Sequence, residues 1–147
     1  QSVIPDGWRS PSPSEVMQGW RMDSPSKYLS AKGDFNGDGY IDEARILIRE
    51  HDSQVGLFAY MCRHTGTDIL MLAMEPSAAI QAMGIKAVPP GEYKTACGKG
   101  YWECTNGETP SLALKHTAID FFKTESADSV FYWDEKAAKF QRIWMSD

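Results

Sequence analysis

Short apolar runs separated by polar turns occupy most of the chain, and this pattern predicts strands. Three such runs follow one another closely, at residues 44–50, 55–62 and 68–74. The polar turns between them are short, and short connections place successive strands side by side in antiparallel order. The sequence therefore predicts an antiparallel meander in this part of the chain.

A second group of apolar runs lies toward the carboxyl end. The candidate strands of this group are residues 92–97, 112–115, 118–123, 129–134 and 139–145. Residues 134–138 lie between the last two runs and predict the turn of a final hairpin. The large aromatic side chains of this hairpin, among them Tyr132 and Trp144, favour a core role over a ligand site.

Two segments have the start and stop signals of short helices. Ser12, Pro13 and Glu15 form a capping box with proline at the first helical position. The side chains expected on one side of this helix are Val16, Met17 and Trp20. The second segment, residues 76–84, has proline near its start and glycine at its end, the usual punctuation of a helix.

Together these elements predict a mostly β protein of the α+β type, with an antiparallel sheet of about seven strands and two short helices. A length of 147 residues is typical of one domain. Residues 1–147 are therefore predicted to form a single domain. Its amino-terminal segment, residues 1–22, is rich in proline and serine and is expected to pack on the β domain.

The loop before the first run of the meander carries the most specific chemistry. Asp34, Asn36, Asp38 and Asp42 place oxygen-bearing side chains at relative positions 1, 3, 5 and 9 of a glycine-rich segment. Calcium takes about 6–8 oxygen ligands, so a short loop must turn alternate side chains inward and add a backbone carbonyl. The carbonyl of Tyr40, at position 7, is the expected backbone ligand. The pattern predicts a calcium site that leads into a strand and has a structural role.

This loop differs from an EF-hand, because its twelfth position is Arg45 and a strand-like run follows it. The segment from Gly33 to Ala44 instead resembles the calcium loops of FG-GAP and VCBS-type repeats in cell-surface and periplasmic proteins. The motif occurs once in this chain, whereas a propeller built from such repeats would show it several times at a fixed spacing. The alternative interpretation is a plain turn, since Asp, Asn and Gly are all turn formers.

Charge and hydropathy argue against two kinds of partner. The net charge is −5, which does not provide the basic surface that nucleic-acid binding requires. No apolar run approaches the roughly 20 residues that a membrane-spanning helix needs. The sequence therefore predicts no nucleic-acid partner and no membrane span, and it does not distinguish a monomer from a dimer.

The cysteines and the first residue favour an exported protein. Cys97 and Cys104 flank a short loop with two glycines, which predicts a disulfide in an oxidising compartment. Cys62 lies in an apolar run and is expected to be a buried free thiol. The chain begins with Gln1, which favours a mature periplasmic or secreted protein after removal of a signal peptide. The alternative is a chain that was trimmed at this point.

Catalytic motifs do not stand out. The sequence contains no nucleophile elbow, no zinc-protease helix and no phosphate-binding glycine loop. Asp120 and Glu125 form a carboxylate pair that could flank a glycosidic bond, but such pairs are common in acidic proteins. Cys62 as a nucleophile would need an accessible setting and a partnered histidine. The sequence predicts a binding protein rather than an enzyme.

The loop between the two paired cysteines is the best candidate for contact with a partner protein. Lys99, Tyr101 and Trp102 lie in it, and aromatic residues on a constrained loop are favoured interface anchors. The alternative is that both aromatic side chains fold back onto the core.

In architecture and in its one motif, the chain resembles small bacterial periplasmic inhibitors and immunity proteins, including calcium-binding inhibitors of peptidoglycan hydrolases. The resemblance implies a protein partner, such as a bacterial effector enzyme, and neutralisation of its cell-wall-degrading activity. Two other functions stay open. The first is an envelope or adhesion module stabilised by calcium, and the second is a hydrolase.

Overall fold

The computed structural model describes residues 3–16, 20, 24, 26–124 and 126–147. Antiparallel strands account for most of the regular structure. In chain order the elements are β1 (Trp8–Arg9), α1 (Pro13–Val16), β2 (Ser30–Gly33), β3 (Asp42–Arg49), β4 (Val55–Arg63), β5 (Gly66–Glu75), a 3-10 helix (Ser77–Gln81), β6 (Met83–Val88), β7 (Gly91–Lys94), β8 (Ser111–Leu114), β9 (Ala118–Lys123), β10 (Asp128–Asp134) and β11 (Lys139–Ser146). The predicted fold class, a mostly β single domain, is confirmed.

The strands form two sheets and a ribbon. Sheet 1 contains β1, β3, β4 and β5 in that order, and β2 also pairs with β3. Sheet 2 contains β11, β10, β9 and β6 in that order, and β7 pairs with β8 in a two-stranded ribbon. The described residues thus contain eleven strands rather than about seven, and these strands do not form one sheet.

The two sheets pack face to face over the main hydrophobic core. Alternate residues of each strand enter it, as Ile46 and Ile48 do from β3 and Ile119 and Phe121 from β9. β4 is buried on both faces from residue 55 to residue 61, which explains its unbroken apolar run. The core thereby fixes the register of the strands that leave the predicted metal loop.

Smaller apolar clusters cover the outer faces of both sheets. Ile4 and Trp8 of the amino-terminal segment pack against three side chains of sheet 1, namely Leu47, Phe58 and Tyr60. Leu112 and Leu114 of the ribbon pack against the outer face of sheet 2. The layers therefore follow the order amino-terminal segment, sheet 1, sheet 2 and ribbon.

Several predicted elements are confirmed. The meander is β3, β4 and β5, and the final hairpin is β10 and β11 with its turn at residues 135–138. At α1, the Ser12 N–H donates to the Glu15 carboxylate at 2.8 Å, as the capping box predicts. Val16 is buried, and Met17, expected on the same side of the helix, lies outside the described residues. None of the helices in the described ranges has the length and hydropathy of a membrane-spanning segment.

The second predicted helix is wrong. Its residues form only a 3-10 helix at Ser77–Gln81, and β6 begins at Met83. Gly84, expected at the helix end, lies inside β6, where an added Cβ would come within 2.7 Å of the Phe122 ring and 2.8 Å of Tyr28. A glycine in a strand permits such a close approach. Gly84 therefore serves packing and does not end a helix.

Candidate functional site

The predicted metal loop, residues 34–42, connects β2 to β3 and wraps around the carboxylate of Asp34. Asp34 Oδ1 accepts the N–H of Gly37 at 2.9 Å and that of Asp38 at 3.1 Å, and Asp34 Oδ2 accepts the N–H of Gly39 at 2.8 Å. Gly37 and Gly39 have positive φ angles of 75° and 92°. Glycine adopts this conformation without a steric penalty, so the two glycines let the chain curl tightly around the carboxylate.

Asp42, the first residue of β3, is the buried carboxylate of the loop, with 1% of its surface exposed. Its Oδ2 accepts the N–H of Phe35 at 2.9 Å, and its Oδ1 accepts the N–H of Cys62 at 2.8 Å. Burial raises the pKa of Asp42, the two backbone N–H groups lower it, and the negative charges of Asp38 and Asp34 raise it again. A cation beside these carboxylates would favour the ionised form of Asp42.

Three of the predicted ligands converge. Asp34, Asp38 and Asp42 each offer one oxygen, and these oxygens lie within 4.8 Å of one another. The side-chain oxygen of Asn36 is 3.4 Å from the N–H of Asp38, and the N–H of Tyr40 donates to Asp38 Oδ1 at 3.0 Å. Carboxylate, amide and carbonyl oxygens are hard ligands that suit calcium or magnesium. The donor set of this loop therefore fits the predicted ion.

Two contacts that the sequence did not predict attach the loop to the rest of the fold. Phe35 is fully buried and packs edge-on against Phe140 of β11, with ring centroids 6.4 Å apart. Gly37 lies against the ring of His116, whose Nε2 is 2.6 Å from Glu135 Oε1. An aromatic residue between two ligand-type residues, Asp34 and Asn36, is a local signal for Phe35. His116 is remote in sequence, and no local pattern marks it.

Gly37→Ala is expected to destabilise the protein by about 1 kcal/mol more than Gly39→Ala. Both substitutions force alanine into a positive φ, which costs roughly 1–2 kcal/mol. Only the Cβ at Gly37 meets an obstacle, since it would lie 2.3 Å from the His116 ring, whereas nothing lies within 4 Å of the Cβ at Gly39. Urea unfolding of the two variants measures the difference. Equal losses of stability would show that the loop does not depend on its packing against His116.

The cysteine pairing predicted from the sequence is confirmed. Cys97 and Cys104 lie at disulfide distance, with Sγ atoms 2.06 Å apart. Cys62 is a free thiol as predicted, but it is half-buried rather than buried. The residue before the Cys97–Cys104 loop, Ala96, is attached to sheet 2, because its N–H donates to the carbonyl of Trp144 at 2.9 Å.

The three residues predicted to contact a partner have different surroundings. Lys99 Nζ donates to the carbonyl of Met145 in β11 at 2.8 Å. Trp102 is half-buried, and its indole N–H donates to Glu108 at 3.0 Å. Tyr101 is 53% exposed. Tyr101 and Lys99 are therefore exposed to solvent, whereas Trp102 is half-buried.

A second set of carboxyl groups lies on the outer face of sheet 2. Glu125, which the sequence paired with Asp120, lies outside the described residues. Burial raises the pKa of Asp120 from 3.8 to about 7, and the nearby negative charge of Asp128 adds to the shift, whereas Lys86 and Lys99 oppose it. Asp120 is directly opposite Lys86 in the register of β9 and β6. The sequence could not reveal the partnership with Asp128, which depends on how β9 pairs with β10.

Asp120→Asn is expected to stabilise the protein by about 1–2 kcal/mol at pH 8 and by nothing at pH 4. The folded-state pKa of Asp120 is raised, so the folded protein favours the protonated carboxyl group. The stability that this group contributes is fully present below pH 4 and is lost as the pH rises through 7, where Asp120 ionises in the folded protein. Asparagine resembles the protonated carboxyl group and does not titrate. Thermal unfolding of both proteins from pH 4 to pH 8 checks this, and parallel curves across that range would contradict it.

Comparisons with known proteins do not assign the chain to a family. A scan against protein-family models finds no match, and searches of curated proteins and of solved structures also find none. The chemistry of the chain therefore has to be read from its own residues, above all the loop at residues 34–42 and the loop closed by Cys97 and Cys104.

Proposed function

We propose that this is an exported calcium-binding protein that acts by binding another protein, most specifically a cell-wall-degrading enzyme that it neutralises. One observation supports the proposal that the protein binds calcium: oxygens of Asp34, Asp38 and Asp42 lie within 4.8 Å of one another. Carboxylates this close repel one another unless a cation lies among them. The proposed ligands are Asp34, Asn36, Asp38, the Tyr40 carbonyl and Asp42.

The connections of the loop support a structural role for the ion. Asp42 accepts hydrogen bonds from the backbone of Phe35 and from that of Cys62 in β4. Phe35 lies in the main core, and Gly37 lies against His116. An ion held by this loop would therefore favour the folded arrangement of β3, β4 and the segment before β9.

The paired cysteines support the proposal of an exported protein. Disulfides persist in oxidising compartments, such as the periplasm or the extracellular space. Calcium-binding modules outside the cell commonly have dissociation constants of roughly 0.1–1 mM. A loop of this kind is thus suited to the same compartments as the disulfide.

Tyr101 supports the proposal of a protein partner. It is largely exposed on a loop that the Cys97–Cys104 pair closes, so little conformational entropy is lost when it binds. Lys99 lies in the same loop and keeps two N–H donors after its bond to Met145. An aromatic anchor beside a cation suits a cleft lined with catalytic carboxylates, as in glycosidases.

The envelope or adhesion module is the second candidate, and β5 favours it. β5 is at the edge of sheet 1, and Ile69, Leu70 and Met71 are exposed on it. An edge strand with exposed apolar side chains can pair with a strand of another protein. Binding that depends on β5 and not on Tyr101 would select this alternative.

The test is inhibition of a panel of purified peptidoglycan hydrolases in the presence of calcium. We expect at least one enzyme to be inhibited at a one-to-one ratio, and Tyr101→Ala to weaken that inhibition at least tenfold without changing the melting temperature. Ile69→Ala, another exposed side chain, is the matched control and is expected to inhibit like the wild type. No inhibition across the panel, or full inhibition by Tyr101→Ala, would contradict the proposal.

A further inference from the structure

A groove lies between the ribbon and the outer face of sheet 2. Its volume is about 490 Å³, which falls in the range of sites that bind small molecules. Its apolar walls come from both sides: Val88, Leu112, Leu114, Val130 and Met145. Charged residues complete the lining: Lys86, Lys94, Lys99, Asp120 and Asp128. The groove therefore combines an apolar interior with two kinds of charge.

Asp120 is the exceptional residue of this groove, since only 8% of its surface is exposed. Its Oδ1 is buried and accepts no hydrogen bond from any described residue. Its Oδ2 is 3.9 Å from Lys86 Nζ, too far for a hydrogen bond. A buried polar atom without a partner costs roughly 1–3 kcal/mol, and more when it is charged. Such a group in a groove is a candidate for ligand binding.

Asp128 is the second carboxyl group of the groove. It lies diagonally across from Asp120 in the pairing of β9 with β10, its Oδ1 accepts a hydrogen bond from the Ser146 hydroxyl, and its negative charge raises the pKa of Asp120. When Asp120 loses its proton, two neighbouring negative charges are left. A cationic donor would then replace the proton.

The lysines of the groove lie on three different segments. Lys86 comes from β6, Lys94 from β7 and Lys99 from the disulfide loop, and all three are exposed. The groove-lining residues from β8 and β11 are apolar. Three lysines and two carboxyl groups in one groove allow the lysines to bind an anionic group while the carboxyl groups bind a cationic one.

We propose that this groove binds a small zwitterion of about dipeptide size, with its ammonium group held by Asp120 and Asp128 and its carboxylate held by the surrounding lysines. The ammonium group supplies hydrogen-bond donors to these carboxyl groups. It also replaces the proton of protonated Asp120, so that proton is released to solvent on binding. This inference does not rest on the calcium loop or on the enzyme partner.

Binding is expected to strengthen as the pH rises from 5.5 to 7.5. The pKa of Asp120 is raised to about 7, so at the lower pH the ligand must displace a proton. The charged groups that face Asp120 are Asp128, Lys86 and Lys99. The ammonium group of a dipeptide is also largely protonated at pH 7.5. Affinity is therefore expected to change at least threefold over the interval.

The test is an NMR titration of the whole protein, in calcium-containing buffer, with alanyl-alanine as the probe. We expect saturable shifts of backbone amides around the groove, including those of Lys86, Asp120 and Asp128. N-acetyl-alanyl-alanine, which has no ammonium group, is expected to bind at least tenfold more weakly. An absence of saturable shifts at pH 7.5, or equal affinity for the two compounds, would overturn the proposal.

Asp120→Asn supplies the second readout. It is expected to fold, because it removes a buried charge, and to bind alanyl-alanine at least tenfold more weakly than the wild type. Asp6→Asn, which changes an exposed carboxylate in the amino-terminal segment, is expected to bind like the wild type. Undiminished binding by Asp120→Asn would also overturn the proposal. None of these outcomes bears on calcium binding or on enzyme inhibition, which are measured separately.

Discussion

Calcium is expected to raise the melting temperature of the wild-type protein by about 5–10 °C, and Asp38→Ala is expected to abolish this increase. An ion that binds only the folded state adds about 2.7 kcal/mol at one hundred times its dissociation constant. For a chain of this size, each kcal/mol shifts the melting temperature by roughly 2–4 °C. Asp38 is exposed and its carboxylate accepts a hydrogen bond only from the nearby Tyr40 N–H among the described contacts. Its removal should therefore affect the calcium-free protein little.

Thermal unfolding in a chelator and in 10 mM calcium measures this increase. Glu50→Ala is the control, because it removes one exposed carboxylate just after β3 but outside the loop. It is expected to keep the full increase. An equal melting temperature with and without calcium in the wild type would count against the site, and so would an increase that survives in Asp38→Ala.

Phe35→Ala is expected to destabilise the protein by about 3–5 kcal/mol, the usual cost of truncating a buried phenylalanine. Phe35 is fully buried in the main core and contacts the Phe140 ring. Its backbone N–H donates to Asp42, so the cavity would also disturb the position of a proposed metal ligand. We therefore expect weaker calcium binding together with the loss of stability. Urea unfolding in calcium-containing buffer gives the free energy of unfolding.

Tyr40→Ala is the matched control for Phe35→Ala. Tyr40 is an aromatic residue of the same loop, but it is 41% exposed, and alanine keeps the backbone carbonyl. Its substitution is expected to change stability by about 0.5 kcal/mol or less. If Phe35→Ala does not fold, Phe35→Leu provides a milder change of roughly 1–1.5 kcal/mol. Equal effects of the Phe35 and Tyr40 substitutions would show that the loop is not anchored through the core.

The strands of the meander could be predicted because their signals are local. β3, β4 and β5 are apolar runs with short turns, and these features alone require antiparallel neighbours. β6 could not be predicted in this way. Its glycine, Gly84, is required by the Phe122 and Tyr28 side chains that pack over it, and those contacts come from distant parts of the chain. The division of the strands between two sheets also depends on long-range packing, which strand periodicity does not encode.

The same difference between local signals and long-range contacts determines which parts of the candidate site could be predicted. The convergence of Asp34, Asp38 and Asp42 could be predicted because the five proposed ligands fall within nine consecutive residues, where spacing alone determines which side chains can converge. The contact between Gly37 and His116 joins parts of the chain that are far apart in sequence, and no spacing rule relates them. Asp120 and Asp128 meet because of the register of β9 and β10. A carboxyl pair of this kind becomes visible only after the strands are paired.

A crystal structure of the protein grown with ample calcium tests the central claim most directly. We expect one ion in the loop at residues 34–42, with about 6–8 oxygen ligands at roughly 2.3–2.6 Å. Carboxylate oxygens of Asp34, Asp38 and Asp42 are expected among them, together with the Tyr40 carbonyl. Density for water alone at this position, with the three carboxylates turned outward to solvent, would contradict the claim.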